Sequence, residues 1–190
     1  RTLVLFDGIP INTSDEGSVN WNSIHIDNVQ RIEVFKGPGS SLYGNSAMGG
    51  VINIITRKPA AGQSRTSVTG IWGSAGAQTY RFYNSGRTPA GFYWTAAAQK
   101  EKMGNYDDGA GNKVFNRLDG ETYDVQLGKT WQDKAEVALS LHRYLLDYGF
   151  PDIGYRFYDQ AYYTGKMGTG SKDETRYAAR FKYKFTDRLQ

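Results

Sequence analysis

Few residues in this sequence have both the type and the spacing that catalysis or metal binding requires. The two histidines, His25 and His142, are far apart, and neither has a second ligand at the spacing of a metal site. Asp107 and Asp108 could hold a divalent cation loosely, but the residues around them lack the calcium-loop pattern and favour a solvated turn. No Ser-His-Asp or paired-carboxylate arrangement can be placed. The sequence therefore predicts no catalytic residue, no metal site, no cofactor and no enzyme.

Two glycine-rich segments begin like nucleotide-binding loops and then depart from the pattern. Residues 37–42 lack the third glycine of a dinucleotide fingerprint, and no βαβ unit surrounds them. Residues 39–44 have the spacing of a phosphate loop, but Asn45 stands where that motif requires lysine. The net charge is only +4, and the lysines and arginines are scattered along the chain. Nucleic acid is therefore not a predicted partner.

Arg31 and Glu33 are the charged pair with the clearest structural meaning. They are two residues apart on a predicted strand, so they present opposite charges on the same face. A buried charge must be paired or hydrogen-bonded. The pair is therefore predicted to anchor this strand, either by contact between its own two members or by contact with charged groups elsewhere.

The elements that position these residues follow from an unusual composition. The 190 residues include 23 glycines, 14 tyrosines, 9 phenylalanines and 4 tryptophans, yet only 39% are hydrophobic. Strands with one apolar face and one wet face produce this combination of aromatic residues in a polar chain. The absence of cysteine excludes disulfides, and no apolar run approaches the roughly 18 residues of a membrane-spanning helix.

Residues 1–59 have the pattern of a small mixed α/β segment. An apolar strand ends at Asp7 and Gly8, a dipeptide that accommodates the positive φ angles of a tight turn. Asp27 is predicted to cap a short helical turn that runs into Val29. The predicted strands are 3–6, 30–35 and 51–56, and a second helical turn is predicted at 40–43.

Residues 60–190 change to strands of about ten residues with period two and aromatic residues at their ends. Their apolar faces include glycine and alanine, which lipid tolerates and a packed core would leave as voids. The pattern thus favours an all-β, antiparallel transmembrane barrel over a soluble sandwich. Long loops are predicted at 102–120 and 149–173. The six predicted strands are 64–72, 79–84, 91–101, 121–131, 135–148 and 174–185.

The alternation is clearest on the last two of these strands, where it predicts which side chains face lipid and which face the lumen. The residues predicted to face lipid are Val137, Leu139, Leu141, Phe181, Tyr183 and Phe185, and those predicted to face the lumen are Glu136, Ser140, Arg180 and Lys182.

Three segments of the first 59 residues resemble TonB-dependent outer-membrane receptors, almost position by position and in the same order. They are LFDGIP at 5–10, IHIDNVQRIEVFKGP at 24–38 and SLYGNSAMGGVINIIT at 41–56. The resemblance is close over residues 3–57, whereas residues 60–190 resemble the family only in pattern. It implies that 1–59 are the C-terminal half of a plug domain and that 60–190 are the first strands of a barrel in the bacterial outer membrane.

The resemblance also implies a function and a set of partners. Receptors of this family bind a scarce nutrient and import it actively, and a ferric siderophore is the expected cargo. Haem or cobalamin uptake, and a related barrel for carbohydrate or peptide uptake or for signalling, are the alternatives. The implied partners are TonB, through a plug segment outside this chain, outer-membrane lipid and the rest of the same barrel. A soluble β-rich binding domain is the rival class, which monomeric solubility without detergent would favour.

The family's plug presents outward loops to the ligand, and two such loops are placed here at 13–19 and 40–45. Tyr43 would offer a ring and a hydroxyl to a polar, partly aromatic ligand, or else would pack beneath its own loop. By the same resemblance, Arg31 and Glu33 would hold charged groups of the barrel wall. The expected ligand contacts are Tyr43, Ser40, Asn45, Asp15 and Ser18.

Overall fold

The chain forms two main sheets in a computed structural model. The structure describes residues 2–12, 17–37, 47–132, 134–156 and 160–185, with the backbone alone for 152–156 and 160–166. No helix within these ranges is long and apolar enough to cross a membrane.

The N-terminal sheet has four strands in the order β2-β1-β4-β3. β1 and β4 are parallel, and the other pairs are antiparallel. Asp7 and Gly8 join β1 to β2 with φ angles of 50° and 85°, so the predicted tight turn is confirmed. The strands are β1 at Leu3–Phe6, β2 at Ile9–Pro10, β3 at Val29–Lys36 and β4 at Gly50–Thr56.

The helical part of the described N-terminal segment consists of two 3₁₀ turns, at Trp21–Ser23 and Ile26–Asn28. The predicted cap by Asp27 is wrong, because Asp27 lies inside the second turn and His25 precedes it without a side-chain capping bond. The helical turn predicted at 40–43 lies outside the described residues.

The N-terminal sheet has an apolar core of its own, with a cluster against each face of its central strands. Successive residues of a strand point to opposite faces, so β1 contributes to both clusters. One cluster consists of Leu3, Leu5, Ala47 and Val51, and the other of Val4, Ile11 and Ile54.

The large sheet is an antiparallel meander in which each strand pairs with the next long strand of the chain. All six predicted strands are confirmed, most of them with longer bounds. A short hairpin, β8 at Tyr106–Asp107 and β9 at Lys113–Val114, occupies the loop between the third and fourth strands. The long strands are β5 at Ser64–Trp72, β6 at Gln78–Arg87, β7 at Phe92–Met103, β10 at Leu118–Trp131, β11 at Ala135–Arg156 and β12 at Gln160–Tyr183.

The long loop predicted at 149–173 is wrong, because β11 and β12 remain paired through most of it. Tyr148 and Phe150 lie opposite Gly170 and Gly168 in this ladder. A Cβ atom on either glycine would come within 2.5 Å of the opposing ring. These two glycines therefore leave room for the rings of Tyr148 and Phe150 to lie over the neighbouring strand.

The large sheet has an outer face and an inner face, and the inner face carries the N-terminal sheet. On the outer face, Leu139 is 60% exposed and Phe181 is 70% exposed. On the inner face, Glu136 is 9% exposed and Arg180 contacts the carbonyl of Asp7. Lys182 shares the inner face because it is the cross-strand partner of Glu136. The predicted alternation on these strands is confirmed.

The apolar part of the outer face ends in a different way at each border. At one border the Lys129 ammonium lies over the rings of Phe92 and Trp131, 4.3 and 5.2 Å from their centroids. Toward the other end of the strands, Lys100 pairs with Asp119 and Glu121 at 2.6 Å each. Aromatic residues and charges at the edges of an apolar band are typical of strands that meet water on both sides of a membrane.

We expect Leu139→Arg in the full-length protein to lower the free energy of unfolding by about 2–4 kcal/mol, because the substitution places a cation on the apolar outer face. Gln126→Arg is the matched control, since Gln126 lies opposite Ser140 and borders the space beside the N-terminal sheet. Denaturant titration in lipid bilayers measures both. Equal losses for the two variants would contradict the assignment of the faces.

Candidate functional site at the contact between the two sheets

Polar and charged groups make the described hydrogen bonds and ion pairs between the N-terminal segment and the inner face of the large sheet. They form three groups along the inner face. We call them the Glu136 cluster, the histidine cluster and the Tyr83 contacts, and define each by its residues below.

The Glu136 cluster joins the end of the N-terminal segment to three strands. Glu136 accepts two hydrogen bonds from Lys58 Nζ, at 2.7 and 2.9 Å, and one from the Tyr93 hydroxyl at 2.6 Å. Arg180 donates to Glu136 at 3.1 Å and to the carbonyl oxygen of Asp7 at 3.3 Å. One carboxylate on β11 thus connects β7, β12 and the segment that follows β4.

Two local features bring these groups together. Lys58 follows the last residue of β4 closely, and the Asp7 carboxylate fixes that strand end by accepting the Thr56 amide at 2.9 Å. Tyr93 reaches Glu136 across its cross-strand partner Gly128, where a Cβ atom would come within 2.3 Å of the ring. The glycine therefore clears the path of the tyrosine side chain.

The histidine cluster consists of His25, Asp124 and His142. His142 and Asp124 are cross-strand partners, with Nδ1 and Oδ1 2.8 Å apart. Nε2 of His25, from the N-terminal segment, lies 3.2 Å from the other oxygen, Oδ2. His25 is only 2% exposed. Two histidines that are far apart in the sequence therefore share one carboxylate across the contact between the sheets.

The Tyr83 contacts hold the second 3₁₀ turn against β6. The buried Tyr83 hydroxyl donates to Asn28 Oδ1 at 3.1 Å. Arg81, on the same face of β6, lies 3.8 Å from Asp27. Tyr83 and Arg81 alternate with outward residues, so the period of the strand places both against the turn.

A cavity of about 410 Å³ lies beside these contacts, between the N-terminal sheet and the inner face. Asp7 and Asn28 line it from one side, and Asp124, Gln126 and His142 line it from the other. Polar groups on both walls make this a place where water can enter.

Arg31 and Glu33 contact each other, with Nε and Oε1 2.8 Å apart and side chains 56% and 50% exposed. Asn53 also lies 3.5 Å from Glu33. Contact between the two members was one of the alternatives in the sequence. Their predicted role toward the barrel wall stays a prediction.

The predicted ligand-contact residues fall mostly in segments that the structure leaves out. Tyr43, Ser40, Asn45 and Asp15 lie outside the described residues. Ser18 is described and is exposed. Their grouping into one site therefore stays a prediction.

The residues that make the contact were only partly visible in the sequence. Glu136 and Arg180 were predicted to face the lumen, because alternation identifies inward positions. The sequence did not show that Lys58 and Tyr93 are partners of Glu136. Lys58 is 78 positions away from Glu136, and no periodicity along the chain connects the two residues. The sequence shows the two histidines only as far apart and without a second ligand, and their shared carboxylate was not foreseen.

Comparison with known proteins agrees with this arrangement. Residues 1–51 match the sequence model of the TonB-dependent Receptor Plug Domain. The fold is similar to the copper transporter OprC, with a TM-score of 0.73 and 20% identity over 95% of this chain. It is also similar to the ferric yersiniabactin uptake receptor FyuA from Yersinia pestis, with a TM-score of 0.60 and 23% identity over 77% of this chain.

A third similar structure is P. aeruginosa FpvA bound to heterologous pyoverdines, with a TM-score of 0.68 and 16% identity over 97% of this chain. The chain spans 27% of OprC, 23% of FyuA and 26% of FpvA. At these identities the likeness establishes a shared fold, and the chain corresponds to about a quarter of each of these proteins.

We expect Glu136→Gln in the intact receptor to cost about 3 kcal/mol of stability, because the substitution leaves Lys58 and Arg180 without their shared carboxylate. Arg31→Ala is the comparison and should cost about 1 kcal/mol or less, since both members of that pair are half-exposed. Calorimetry of the purified receptor measures both. A cost of about 2–5 kcal/mol for Arg31→Ala would instead indicate a buried partner outside the described residues.

Proposed function

We propose that this chain, which belongs to the TonB-dependent receptor family of the bacterial outer membrane, is part of a receptor that imports a ferric siderophore. TonB-dependent receptors are transporters and not enzymes. The observation that carries the proposal is the two-faced large sheet, with an apolar, aromatic outer face and a polar inner face that holds the N-terminal sheet.

The proposed division assigns residues 1–59 to the C-terminal half of the plug domain, here called the plug segment, and 60–190 to the first barrel strands. β5 and β12 are the end strands of the large sheet. Free strand edges are not stable in lipid, where each backbone N–H and C=O needs a partner. Further strands of the same protein, of about 22 in this class of transporter, would pair with these edges and close the barrel.

The chemistry of the contact suits a plug that moves. The plug segment keeps its apolar clusters within its own sheet and meets the barrel through polar groups. Water can replace such hydrogen bonds at small cost when the surfaces separate, whereas exposing an apolar core would be costly. Force from TonB on the plug could therefore open a path without unfolding the barrel.

The siderophore assignment rests on the named ligands of similar receptors. FyuA takes up ferric yersiniabactin, and FpvA was crystallised with iron-loaded pyoverdine. The plug loops at 13–19 and 40–45 are the proposed contact, with Tyr43, Ser40, Asn45, Asp15 and Ser18 facing the ligand. The Asp15 carboxylate would repel an anionic ferric complex, and inner-face cations such as Arg176 and Arg180 can offset that repulsion.

A strain that lacks the receptor should lose growth on ferric siderophores as sole iron sources and regain it when the intact gene is restored. Parallel cultures with haem, cobalamin or limiting copper test the other cargoes, since OprC is a copper transporter. Normal growth on every siderophore, with a defect on one of the other nutrients, would reassign the cargo.

Tyr43→Ala in the intact receptor should weaken binding of the growth-supporting ferric siderophore about tenfold, or about 1.4 kcal/mol. The physical reason is the loss of both an aromatic surface and a hydroxyl from the proposed ligand-facing loop. Titration calorimetry on folded receptor measures the affinity, and Tyr43→Phe separates the hydroxyl from the ring. Equal affinity in wild type and Tyr43→Ala would assign Tyr43 to packing alone.

A further inference from the structure

The histidine cluster contains two imidazoles but only one carboxylate. Asp124 presents one oxygen to His142 and the other to His25. In the described structure, Nε2 of His142 is buried without a hydrogen-bond partner, and Nε2 of His25 is buried with the Asp124 carboxylate oxygen 3.2 Å away. One carboxylate can neutralise one imidazolium, so a second proton would place an uncompensated positive charge in a buried site.

We propose that the histidine cluster is an acid-sensitive contact: it holds the plug segment against the large sheet at neutral pH and releases it in acid, when the cluster carries more positive charge than Asp124 can neutralise. Only one of the two histidines belongs to the plug segment. Separation of the surfaces therefore exposes His25 to water and relieves the repulsion between the two cations, whereas rearrangement within the large sheet would leave His142 beside Asp124.

The other charged groups around the cluster do not supply a second negative charge. Asp27, in the plug segment, also favours a positive charge on His25, but this is the smallest of the effects on that side chain, and Asp27 pairs with Arg81 of β6 at 3.8 Å. Arg176 of β12 lies opposite His142 and pairs with Glu174 at 2.7 Å. Glu101 of β7 lies toward Arg81, and the Asp7 carboxylate, which lines the same cavity, accepts hydrogen bonds from Thr56.

The direction of the His25 pKa agrees with release in acid. Burial lowers the pKa of His25 below its ordinary value, and the attraction of Asp124 only partly opposes this effect. The exposed imidazole of a separated plug segment would titrate near its usual value of about 6.5. The docked state is therefore fully favoured above about pH 6.5 and loses stability as the pH falls toward the lowered pKa.

The cavity beside the cluster gives protons a route to it. Asp124 and His142 both line this space, which is large enough for several water molecules. The cluster can therefore equilibrate with the surrounding solution before the plug segment moves.

A cysteine at Ser23 reports release of the plug segment, because Ser23 is 4% exposed and residues 1–190 contain no cysteine. Any cysteine in the rest of the receptor is first replaced by serine. Maleimide labelling of Ser23→Cys in the intact receptor is measured at about pH 7.5 and pH 5.5, on either side of the ordinary histidine pKa. Each rate is divided by that of the denatured receptor at the same pH, which removes the titration of the thiol. The normalised rate should rise several-fold in acid.

Three variants in this background separate the proposed mechanism from general loosening. His25→Gln should abolish the rise, because the plug segment then carries no imidazole at the contact. His142→Gln should reduce it, since Asp124 then serves one imidazole. Asp124→Asn should move the rise to higher pH, because even the first proton is uncompensated.

Tyr83→Phe is the matched control, because it removes the hydrogen bond to Asn28 without changing a charge near neutral pH. It should raise labelling by the same factor at both pH values. A response in His25→Gln equal to that of the parent would overturn the proposal. So would shifts of His142→Gln and Asp124→Asn in the same direction.

Discussion

Backbone groups inside a lipid layer have no water to bond with, so every N–H and C=O of a crossing strand must pair within the sheet. The long antiparallel ladders of the large sheet meet this requirement for the strands between its two end strands, β5 and β12. Because successive side chains of a strand point to opposite faces, an apolar surface toward lipid leaves the other face free to be polar. That inner face supplies Asp124, Glu136 and Arg180, and the position of the N-terminal sheet depends on them.

The two parts of the molecule are stabilised in different ways. The N-terminal sheet buries aliphatic side chains such as Leu5 and Val51 between its own strands and loops. Its contact with the large sheet is polar, and is centred on carboxylates that each serve several partners. Apolar burial makes the plug segment a stable unit, whereas the shared carboxylates make its attachment specific in geometry and open to replacement by water.

Much of the architecture could be predicted from local pattern. Period two located all six long strands, and the bounds of β5 agree with the prediction at both ends. The error at 149–173 has a physical cause: glycine weakens a strand when it is considered alone, but here it accommodates the rings of Tyr148 and Phe150 from the neighbouring strand. Such compensation depends on which residues lie opposite each other, and single-strand patterns carry no information about that.

The sequence by itself determined the type of sheet, the faces of the most regular strands and, through the segments at 5–10, 24–38 and 41–56, the resemblance to one receptor family. Those properties depend on neighbours within one strand or one turn, where spacing along the chain fixes direction. Only the tertiary structure decided that Lys58 reaches Glu136 and that His25 and His142 meet at Asp124. A charge can pair with any opposite charge that the fold brings near, so its partner is set by the docking of one sheet on another.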